Sequence, residues 1–404
     1  MKKIITRFSP SPTGELHIGN LRTAIFSWAF SKKNMGLFLI RIDDTNENTC
    51  SDLYRNKILE ILKIFKIGFN EIFNQKNRKR FYIKYARLLF LKNKAYFKKG
   101  ALFLRVQKND IIRICDRVRK FIYVSTNNID DFVLLRRNSM ATYNFSNIVD
   151  DNNKKITHIF RGEEHINNTF RQTLLIKILK LERPEYIHLP LILDIEGRKV
   201  SKKDKTLSIS DILNRGILRK SLLNYIINNG WRNKNIEVLE IKEFISKFRI
   251  NLINKSPSRY DIKKLLWYNR NHISMIPTRK VKNYIIRNLN LRKFSVKIYS
   301  FLISRSSTLK DIDKNIRYFS DLKYNIRKPD EISGFLIYKI KNNNSFIKIK
   351  PSFIEKISEV FGVEKNYVYE KLNLYFFGKS KQVPNVIEFA NASIDIIRNN
   401  VLLI

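Results

Sequence analysis

The sequence predicts an α/β protein with a parallel β-sheet in its N-terminal part and a mostly α-helical C-terminal half. Near-continuous apolar segments at residues 3–9 and 37–42 have the length and composition of strands that are buried on both faces. Between them, from about Ile18 to Asn34, apolar residues recur at helical spacing. From about residue 205 onward the apolar pattern is helical.

The first strand, helix and second strand make a βαβ unit within about 40 residues. The apolar positions of the helix are Leu21, Ala24, Ile25, Trp28 and Ala29, and Met35-Gly36 follows as a common C-terminal signal. Because the strands of such a unit are parallel, their carboxyl ends share one edge of the sheet. Ligands of α/β proteins bind at that edge.

Further elements follow the same patterns. A Lys- and aromatic-rich stretch at about 52–98 is predicted to be helical. A second strand-rich block contains the apolar segments 156–162 and 187–193, with a predicted helix at about 169–181 between them. At 404 residues the chain is long enough for two to four domains.

The composition indicates a folded, strongly basic protein. Hydrophobic residues make up 44% of the chain and aromatic residues 12%, which excludes an intrinsically disordered chain. Lys and Arg number 78 against 36 Asp and Glu, for a formal net charge of +42. That charge favours a polyanionic partner such as nucleic acid. The wealth of Lys, Asn, Ile, Phe and Tyr is also typical of an AT-rich genome, so both explanations of the charge stay open.

Cysteine use and hydropathy bear on the compartment. Cys50 and Cys115 lie far apart and form no CxxC pair, so we expect neither a disulfide framework nor a zinc site. The N-terminus has only a short apolar stretch before Arg7, unlike a signal peptide. No apolar run approaches the ~20 residues of a membrane-spanning helix. We therefore expect a cytoplasmic protein with no membrane partner.

A first cluster, RFSPSPTGELHIGN at residues 7–20, joins the first strand to the first helix. A helix N-terminus offers free backbone N–H groups and a favourable dipole to a phosphate. Gly14 and Gly19 allow a ligand to approach the backbone closely. His17 can donate hydrogen bonds to phosphate oxygens. The cluster predicts a nucleotide site in preference to an ordinary turn.

A second cluster, GRKVSKKDK at residues 197–205, follows an apolar strand. In an enzyme that releases pyrophosphate from a nucleotide, mobile ammonium groups that close over the pyrophosphate would stabilise the transition state more than the ground state. Lys202 is the candidate for the phosphate contact, with Lys199 in support. Alone, such a segment in a lysine-rich chain would be interpreted as a solvated basic loop.

A third cluster combines TYNFSNIVDD at residues 142–151 with THIFRGEEH at residues 157–165. Arg161 ends an apolar strand, where an unpaired guanidinium is costly to bury. A substrate carboxylate would satisfy it in a bidentate pair. A structural salt bridge with Glu163 or Glu164 is the alternative.

These clusters resemble a known family. RFSPSPTGELHIGN resembles the ATP signature of class I aminoacyl-tRNA synthetases, with HIGN in place of HIGH, and RFSPSPTG is similar to the glutamyl branch. KVSKK resembles the KMSKS loop of that family, and the third cluster resembles the amino-acid pocket of glutamyl enzymes. The resemblance implies a Rossmann-like catalytic domain that uses ATP with Mg²⁺ to load L-glutamate onto tRNA(Glu) through a glutamyl-adenylate.

The resemblance also implies site residues. Those implied in catalysis are His17, Gly19, Lys199, Ser201 and Lys202. Those implied in ATP binding are Pro10, Ser11, Pro12, Thr13, Gly14, His17, Gly19, Asn20, His165 and Lys202. Those implied in glutamate binding are Arg7, Ser9, Ser11, Asp43, Tyr143, Asn147 and Arg161. No protein metal ligand is implied, and no zinc is expected because the relevant stretch reads KAYFKKG with the single Cys115.

Asp43 raises the question of which amino acid is bound. The motif RIDDTN looks more like the glutaminyl branch, since glutamyl enzymes usually have RIEDT. Arg161 favours glutamate, because a neutral amide would leave the cation unpaired. The alternatives are a glutaminyl-tRNA synthetase, a relative that attaches glutamate to a modified anticodon base, and a decayed tRNA-binding protein without activity. The long helical tail opposes the second, and the retained site residues oppose the third.

The resemblance implies a domain plan as well. Residues 1–72 and 143–182 would form the catalytic domain, and residues 73–142 an inserted subdomain that binds the acceptor end of tRNA. Residues 183–278 would hold the KMSKS-like loop and contact the tRNA stem, and residues 279–404 would form a helical anticodon-binding domain. We expect a monomer, and whether tRNA(Gln) is also charged stays open.

Overall fold

The structure is a computed structural model. It describes residues 3–46, 49–194, 196–198, 207–232, 238–281, 283, 296–321, 332, 335 and 351–377. The chain divides into two compact units. The first comprises Met1–Asn214 and Leu222–Lys264, and the second comprises Arg215–Ser221 and Leu265–Ile404.

The first part of the chain contains both strands and helices. The strands are β1 (Ile5–Phe8), β2 (Leu37–Ile42), β3 (Glu71–Asn74), β4 (Ala95–Lys98), β5 (Ala101–Leu104), β6 (Ile111–Asp116), β7 (Lys120–Ser125), β8 (Phe132–Leu135), β9 (His158–Gly162), β10 (Glu185–Leu189), β11 (Ile192–Leu193) and β12 (Ser258–Arg259). The helices are α1 (Ile18–Lys33), α2 (Asp52–Ile64), α3 (Lys79–Leu91), α4 (Tyr143–Asn153), α5 (Ile166–Leu179), α6 (Ile209–Asn214), α7 (Arg219–Gly230), α8 (Ile241–Lys247) and α9 (Ile262–Ser274).

The main sheet has seven strands in the order β3-β2-β1-β9-β10-β6-β7. All neighbouring pairs are parallel except β6 and β7, which form an antiparallel hairpin. Thr6 of β1 lies opposite both Phe38 of β2 and His158 of β9. The carboxyl ends of β1, β2, β9 and β10 therefore share one edge. The predicted α/β class with a parallel sheet is confirmed.

Helix α1 covers the sheet and confirms the predicted βαβ unit. Its apolar side chains Leu21, Ala24 and Ile25 are fully buried. Two hydroxyl contacts tie the helix to β1: Thr6 Oγ1 donates to the Ser27 carbonyl at 3.0 Å, and Ser27 Oγ donates to the Arg7 carbonyl at 3.2 Å. The return to β2 needs a glycine, because a Cβ on Gly36 would lie only 2.2 Å from the Ile4 carbonyl oxygen.

The predicted continuous helical stretch at about 52–98 is wrong in part. Helices α2 and α3 are separated by β3, and β4 ends the stretch. β3 extends the sheet by pairing with β2, with Glu71 opposite Leu39. This pairing joins residues that are far apart in the sequence, so local periodicity does not reveal it.

The region predicted as an inserted subdomain contributes to two sheets. Strands β4, β5 and β8 form a separate three-stranded antiparallel sheet. The β6–β7 hairpin instead joins the edge of the main sheet, where Asp116 lies opposite Tyr186 of β10. The structure thus attaches part of residues 73–142 directly to the strands that form the site edge.

Helices dominate the described part of the second unit. They include Val296–Arg305, Leu309–Asp321, Pro351–Phe361 and Lys365–Phe377, of which the first two contact each other and the last two contact each other. Across the described helices of the whole chain, none combines the length and the apolar character that crossing a membrane requires.

Candidate active site

His17 caps the N-terminus of α1. Its Nδ1 accepts a hydrogen bond from the Gly19 N–H at 3.1 Å, and the Asn20 side-chain oxygen accepts one from the His17 N–H at 3.3 Å. This reciprocal pair is a capping box. An accepting Nδ1 places the proton of a neutral imidazole on Nε2, which makes that atom a donor. Asn20, at the fourth position of HIGN, thus holds the helix start in place.

Because Gly19 has no side chain, the His17 imidazole can pack against the helix N-terminus. A Cβ at position 19 would lie 2.9 Å from His17 Cε1 and 3.0 Å from Nδ1. Any other residue would push the ring away from the helix end. The glycine that the sequence predicted for ligand approach therefore also sets the orientation of His17.

One cavity of about 470 Å³ opens at the carboxyl edge of the sheet. It lies where β1 and β9 are neighbours but their following segments diverge, which is where open α/β sheets bind ligands. Its volume suits a small-molecule substrate. The predicted site residues that line it are Arg7, Ser9, Pro10, Ser11, His17, Gly19, Asn20, Tyr143, Arg161 and His165.

The other predicted residues lie elsewhere. Of those that the structure describes, the ones away from the cavity lining are Pro12, Thr13, Gly14, Asp43 and Asn147. Lys199, Ser201 and Lys202 lie outside the described residues.

The structure does place the chain that follows the lysine-rich segment. Ile209 N–H donates to the Leu16 carbonyl at 2.9 Å, and Ser208 Oγ donates to Glu15 Oε2 at 2.8 Å. Lys57 also binds Glu15 at 2.5 Å, and these two contacts, with Lys57 the larger, lower the pKa of Glu15. The residues that follow GRKVSKKDK therefore contact Glu15 and Leu16, which directly precede His17.

Arg161 is a buried cation whose hydrogen-bond partners among the described residues are all neutral. Its Nη1 donates to Gln172 Oε1 at 2.8 Å, its Nε to His188 Nε2 at 3.3 Å, and its Nη2 to Thr169 Oγ1. The side chain is 5% exposed, and burial lowers its pKa. Among the described residues, no carboxylate lies within ion-pair distance of the guanidinium.

The salt-bridge alternative from the sequence is thus not the observed arrangement. Glu163 binds Arg119 and accepts a hydrogen bond from the Leu191 N–H at 2.9 Å. A charged guanidinium at the cavity wall without a carboxylate partner is unfavourable unless a ligand supplies one. The arrangement suits a substrate with an acidic side chain.

A second buried network lies next to the cavity and contains Arg7. Asp151 accepts from Arg7 Nε at 3.1 Å and from Arg41 Nη1 at 2.7 Å. Burial raises the pKa of Asp151, but the two arginines outweigh burial and lower it. Arg7 is thereby held in one orientation at the cavity wall.

Asp43 and Asn147 belong to this network. Arg41 Nε donates to Asp43 at 2.7 Å, and Arg41 Nη2 donates to the Asn147 amide oxygen. Burial raises the pKa of Asp43, while the charge of Arg41 opposes the rise. Asn147 Nδ2 donates to the Tyr143 carbonyl at 2.8 Å. Both residues therefore support residues of the cavity lining, and neither is part of that lining.

Sequence reasoning missed Arg22. This side chain lines the cavity, is 4% exposed, and donates from Nη2 to the Pro190 carbonyl. Burial lowers its pKa to about 10, with Glu164 opposing the shift. A cation within the apolar run LRTAIFSWA was the signal in the sequence. His188, within the apolar run IHLPLIL, offered the same kind of signal.

Comparison with known proteins agrees with this geometry. Residues 3–102 and 97–267 match the family described as tRNA synthetases class I (E and Q), catalytic domain. The chain belongs to this family. The fold of this class I synthetase resembles that of a glutamate tRNA ligase from Elizabethkingia meningosepticum, with a TM-score of 0.79, 23% identity, and all of both chains covered.

Relatives of the synthetase extend over most of its length. It is 31% identical over 391 residues to glutamate--tRNA ligase 2 of Neorickettsia sennetsu, covering 95% of each chain. It is 36% identical over 367 residues to glutamate--tRNA ligase of Buchnera aphidicola subsp. Cinara cedri, covering 78% of this chain and 77% of the relative. The first relative includes the C-terminal part, beyond the residues of the family match.

Proposed function

We propose that this class I synthetase ligates L-glutamate to tRNA(Glu) with ATP, through a glutamyl-adenylate. The observation that carries the proposal is Arg161, a buried guanidinium at the cavity wall bonded only to neutral side chains. A substrate γ-carboxylate would pair with it in a charge-assisted, bidentate manner. A neutral amide would leave the charge unpaired. The two relatives named above, both called glutamate--tRNA ligase, support the same substrate.

The proposed reaction has two steps. An oxygen of the glutamate α-carboxylate attacks the α-phosphorus of ATP; the bond between that phosphorus and the pyrophosphate oxygen breaks, and pyrophosphate leaves with the electron pair. A hydroxyl of the terminal tRNA ribose then attacks the acyl carbon, loses its proton and displaces AMP. Neither step needs a protein nucleophile, so the protein contributes positioning and electrostatics.

Two parts of the chain would stabilise the phosphates. The first turn of α1 and the Nε2–H of His17 would bind phosphate oxygens. Lys202, with Lys199 and Ser201, would close over the pyrophosphate as its charge develops. The contacts that return residues 208–209 to residues 15–16 support this placement of the lysine-rich segment. Pro10, Gly19 and His165, which line the same cavity, would contact the nucleotide.

The amino acid would occupy the part of the cavity near Arg161. Arg7, Ser9 and Tyr143 line the cavity and would orient the substrate. Ser9 Oγ is buried without a hydrogen-bond partner among the described residues, which suits a contact with a bound ligand. Asp43 would contribute its negative charge toward the substrate ammonium from within the Arg41 network.

We propose that ATP is used together with Mg²⁺, which shares the negative charge of the phosphates when bound. Mg²⁺ usually keeps several waters and is held largely by substrate phosphates. Such binding needs no dedicated protein cage. Within the described residues, no group of three or more His, Cys, Asp or Glu side chains could hold a metal ion.

The tRNA would be bound by the rest of the chain. The net charge of the whole chain, +42, fits a polyanionic partner. We propose that residues 73–142 receive the acceptor end, residues 183–278 contact the stem and residues 279–404 the anticodon arm. We further propose that the protein acts in the cytoplasm as a monomer, and that tRNA(Gln) is a second acceptor to be tested.

Charging of purified tRNA tests the proposal. Labelled glutamate and, separately, labelled glutamine are offered with ATP and Mg²⁺ at two salt concentrations, using purified tRNA(Glu) and tRNA(Gln). Glutamate incorporation that falls with salt is the expected result, because phosphate contacts release counterions. Glutamine incorporation would mean that Asp43 outweighs Arg161 in setting specificity. Incorporation of neither would favour a tRNA-binding protein that has lost its activity.

A further inference from the structure

Arg161 is itself held by a buried histidine that no predicted role includes. The Nε of Arg161 donates to His188 Nε2 at 3.3 Å, and His188 Nδ1 lies 2.8 Å from Asp116 Oδ2. Both side chains of the His188–Asp116 pair are fully buried. Because a carboxylate only accepts, the proton of His188 lies on Nδ1, and Nε2 is the acceptor that Arg161 needs. The three groups form one hydrogen-bonded chain.

Asp116 is fixed from several directions. Its Oδ2 also accepts the His188 N–H at 2.9 Å, and its Oδ1 accepts the N–H groups of Val118 at 2.8 Å and Arg119 at 2.6 Å. These last two residues form the turn between β6 and β7. One carboxylate therefore joins the hairpin turn to β10 and sets the tautomer of His188.

The count of donors on Arg161 defines how a ligand can approach. Of the five guanidinium N–H groups, Nε–H points to His188, one Nη1–H to Gln172 and one Nη2–H to Thr169. Thr169 Oγ1 lies 2.8 Å from His188 Nε2 and donates to it, so Nε2 accepts from both Thr169 and Arg161, and the two atoms occupy the same side of the guanidinium. One N–H on each Nη then remains for a substrate carboxylate within the described surroundings, which is a bidentate pair.

We propose that His188, held by Asp116, is a positioning residue for the amino-acid substrate: it presents a neutral acceptor that directs Arg161 end-on toward the cavity. This inference rests on the proposed role of Arg161 in binding glutamate. The buried position of His188 favours its neutral form, because burial lowers its pKa more than Asp116 raises it. Through Asp116, the β6–β7 turn contributes to glutamate affinity although it lies outside the cavity lining.

The test compares substitutions that keep or remove the acceptor. His188→Gln places a neutral amide oxygen near the position of Nε2, so the KM for glutamate should stay within about threefold of the unmodified enzyme. His188→Leu removes the acceptor and leaves Arg161 Nε unsatisfied; the KM for glutamate should rise at least about tenfold. The kcat and the KM for ATP should change much less, because the contact is made before the chemical step.

A control and a second variant complete the design. His158→Leu replaces a buried histidine at the far end of the neighbouring strand and should leave the KM for glutamate unchanged. If His188→Leu does not fold, the test uses His188→Asn, because the asparagine amide can reach Asp116 but not Arg161 Nε. The same rise in KM is expected for that variant. Thermal melting of each variant establishes that it is folded.

The outcomes are decisive. An unchanged KM for glutamate in the variants without the acceptor would overturn the proposal, as would an equal rise in His188→Gln, or a loss confined to kcat. Failure of the unmodified enzyme to charge glutamate would instead refute the proposed function. The unmodified enzyme is assayed before the variants, so a failure of the proposed function is distinguished from a failure of the proposed role of His188.

Discussion

Replacing Arg161 with glutamine removes the charge on which the proposed amino-acid specificity depends. Arg161→Gln keeps a polar side chain, but its amide ends near the position of Arg161 Nε, so Gln172 and Thr169 lose their present hydrogen-bond donors. It deletes the positive charge that would face the substrate γ-carboxylate. Glutamate would then have to bury its charge without a partner, whereas glutamine would not.

The magnitude follows from the burial of the site. Arg161 is 5% exposed, so solvent screens its interaction with a bound carboxylate only weakly. Removing one partner of a buried ion pair costs about 3–5 kcal/mol. Each 1.4 kcal/mol is a factor of ten, so kcat/KM for glutamate should fall by about two to three and a half powers of ten. The value for glutamine should fall far less, so the preference between the two substrates should narrow or invert.

The assay measures initial rates of tRNA charging against glutamate and glutamine concentration, at saturating ATP and tRNA. Arg183→Gln is the matched control, because it removes one arginine that is exposed and lies outside the cavity lining. It should leave the ratio of the two kcat/KM values unchanged. A folded Arg161→Gln variant with the ratio of the unmodified enzyme would refute the reasoning.

Three further predictions concern the capping histidine, the lysine-rich segment and the buried network. His17→Asn keeps an N-cap acceptor, so the free energy of unfolding in urea should change by less than about 0.5 kcal/mol. The kcat should nevertheless fall about 10²-fold, because the Nε2–H donor is lost. A kcat within a few-fold of the unmodified enzyme would contradict the role of His17. Lys202→Ala should lower kcat about 10²-fold or more with the KM for glutamate nearly unchanged, and equal losses in both would argue against a transition-state contact. Asp151→Asn should lower the free energy of unfolding at pH 7 by about 3–5 kcal/mol, because Arg7 and Arg41 would lose their shared carboxylate. The pKa of Asp151 in the folded protein lies below its ordinary value of 3.8, so the stability that Asp151 contributes is full above pH 3.8 and is lost as the pH falls below that value. A difference in unfolding free energy between the unmodified enzyme and Asp151→Asn that persists undiminished well below pH 3.8 would be inconsistent with the ion pair.

Local patterns predicted several elements closely. The strands at 3–9 and 37–42 and the helix from Ile18 correspond to β1, β2 and α1, with ends that differ by no more than a few residues. These segments have strong periodicity and clear end signals, which are properties of neighbouring residues. The segment at 52–98 was less predictable, because β3 exists only through its pairing with β2.

The candidate site, too, was only partly predictable from the sequence. Motifs contiguous in the chain predicted that residues 7–20 and Arg161 belong to one site. The structure brings part of the first motif to the same cavity as Arg161, namely Arg7, Ser9, Pro10, Ser11, His17, Gly19 and Asn20. The partners of each side chain could not be predicted. Arg41 binds Asp151 across 110 positions of sequence, and Arg161 binds His188 across 27. No spacing rule encodes such contacts.

By itself, the sequence determined the family and the βαβ unit at the start of the chain, because each depends on residues that are close together in the chain. Tertiary structure alone decided that Asp43 binds Arg41, that the β6–β7 hairpin joins the main sheet, and that His188 holds Arg161. The physical reason is that a buried charge must find its hydrogen-bond partners wherever the packed strands bring them together. That placement is a property of the whole sheet and not of any segment.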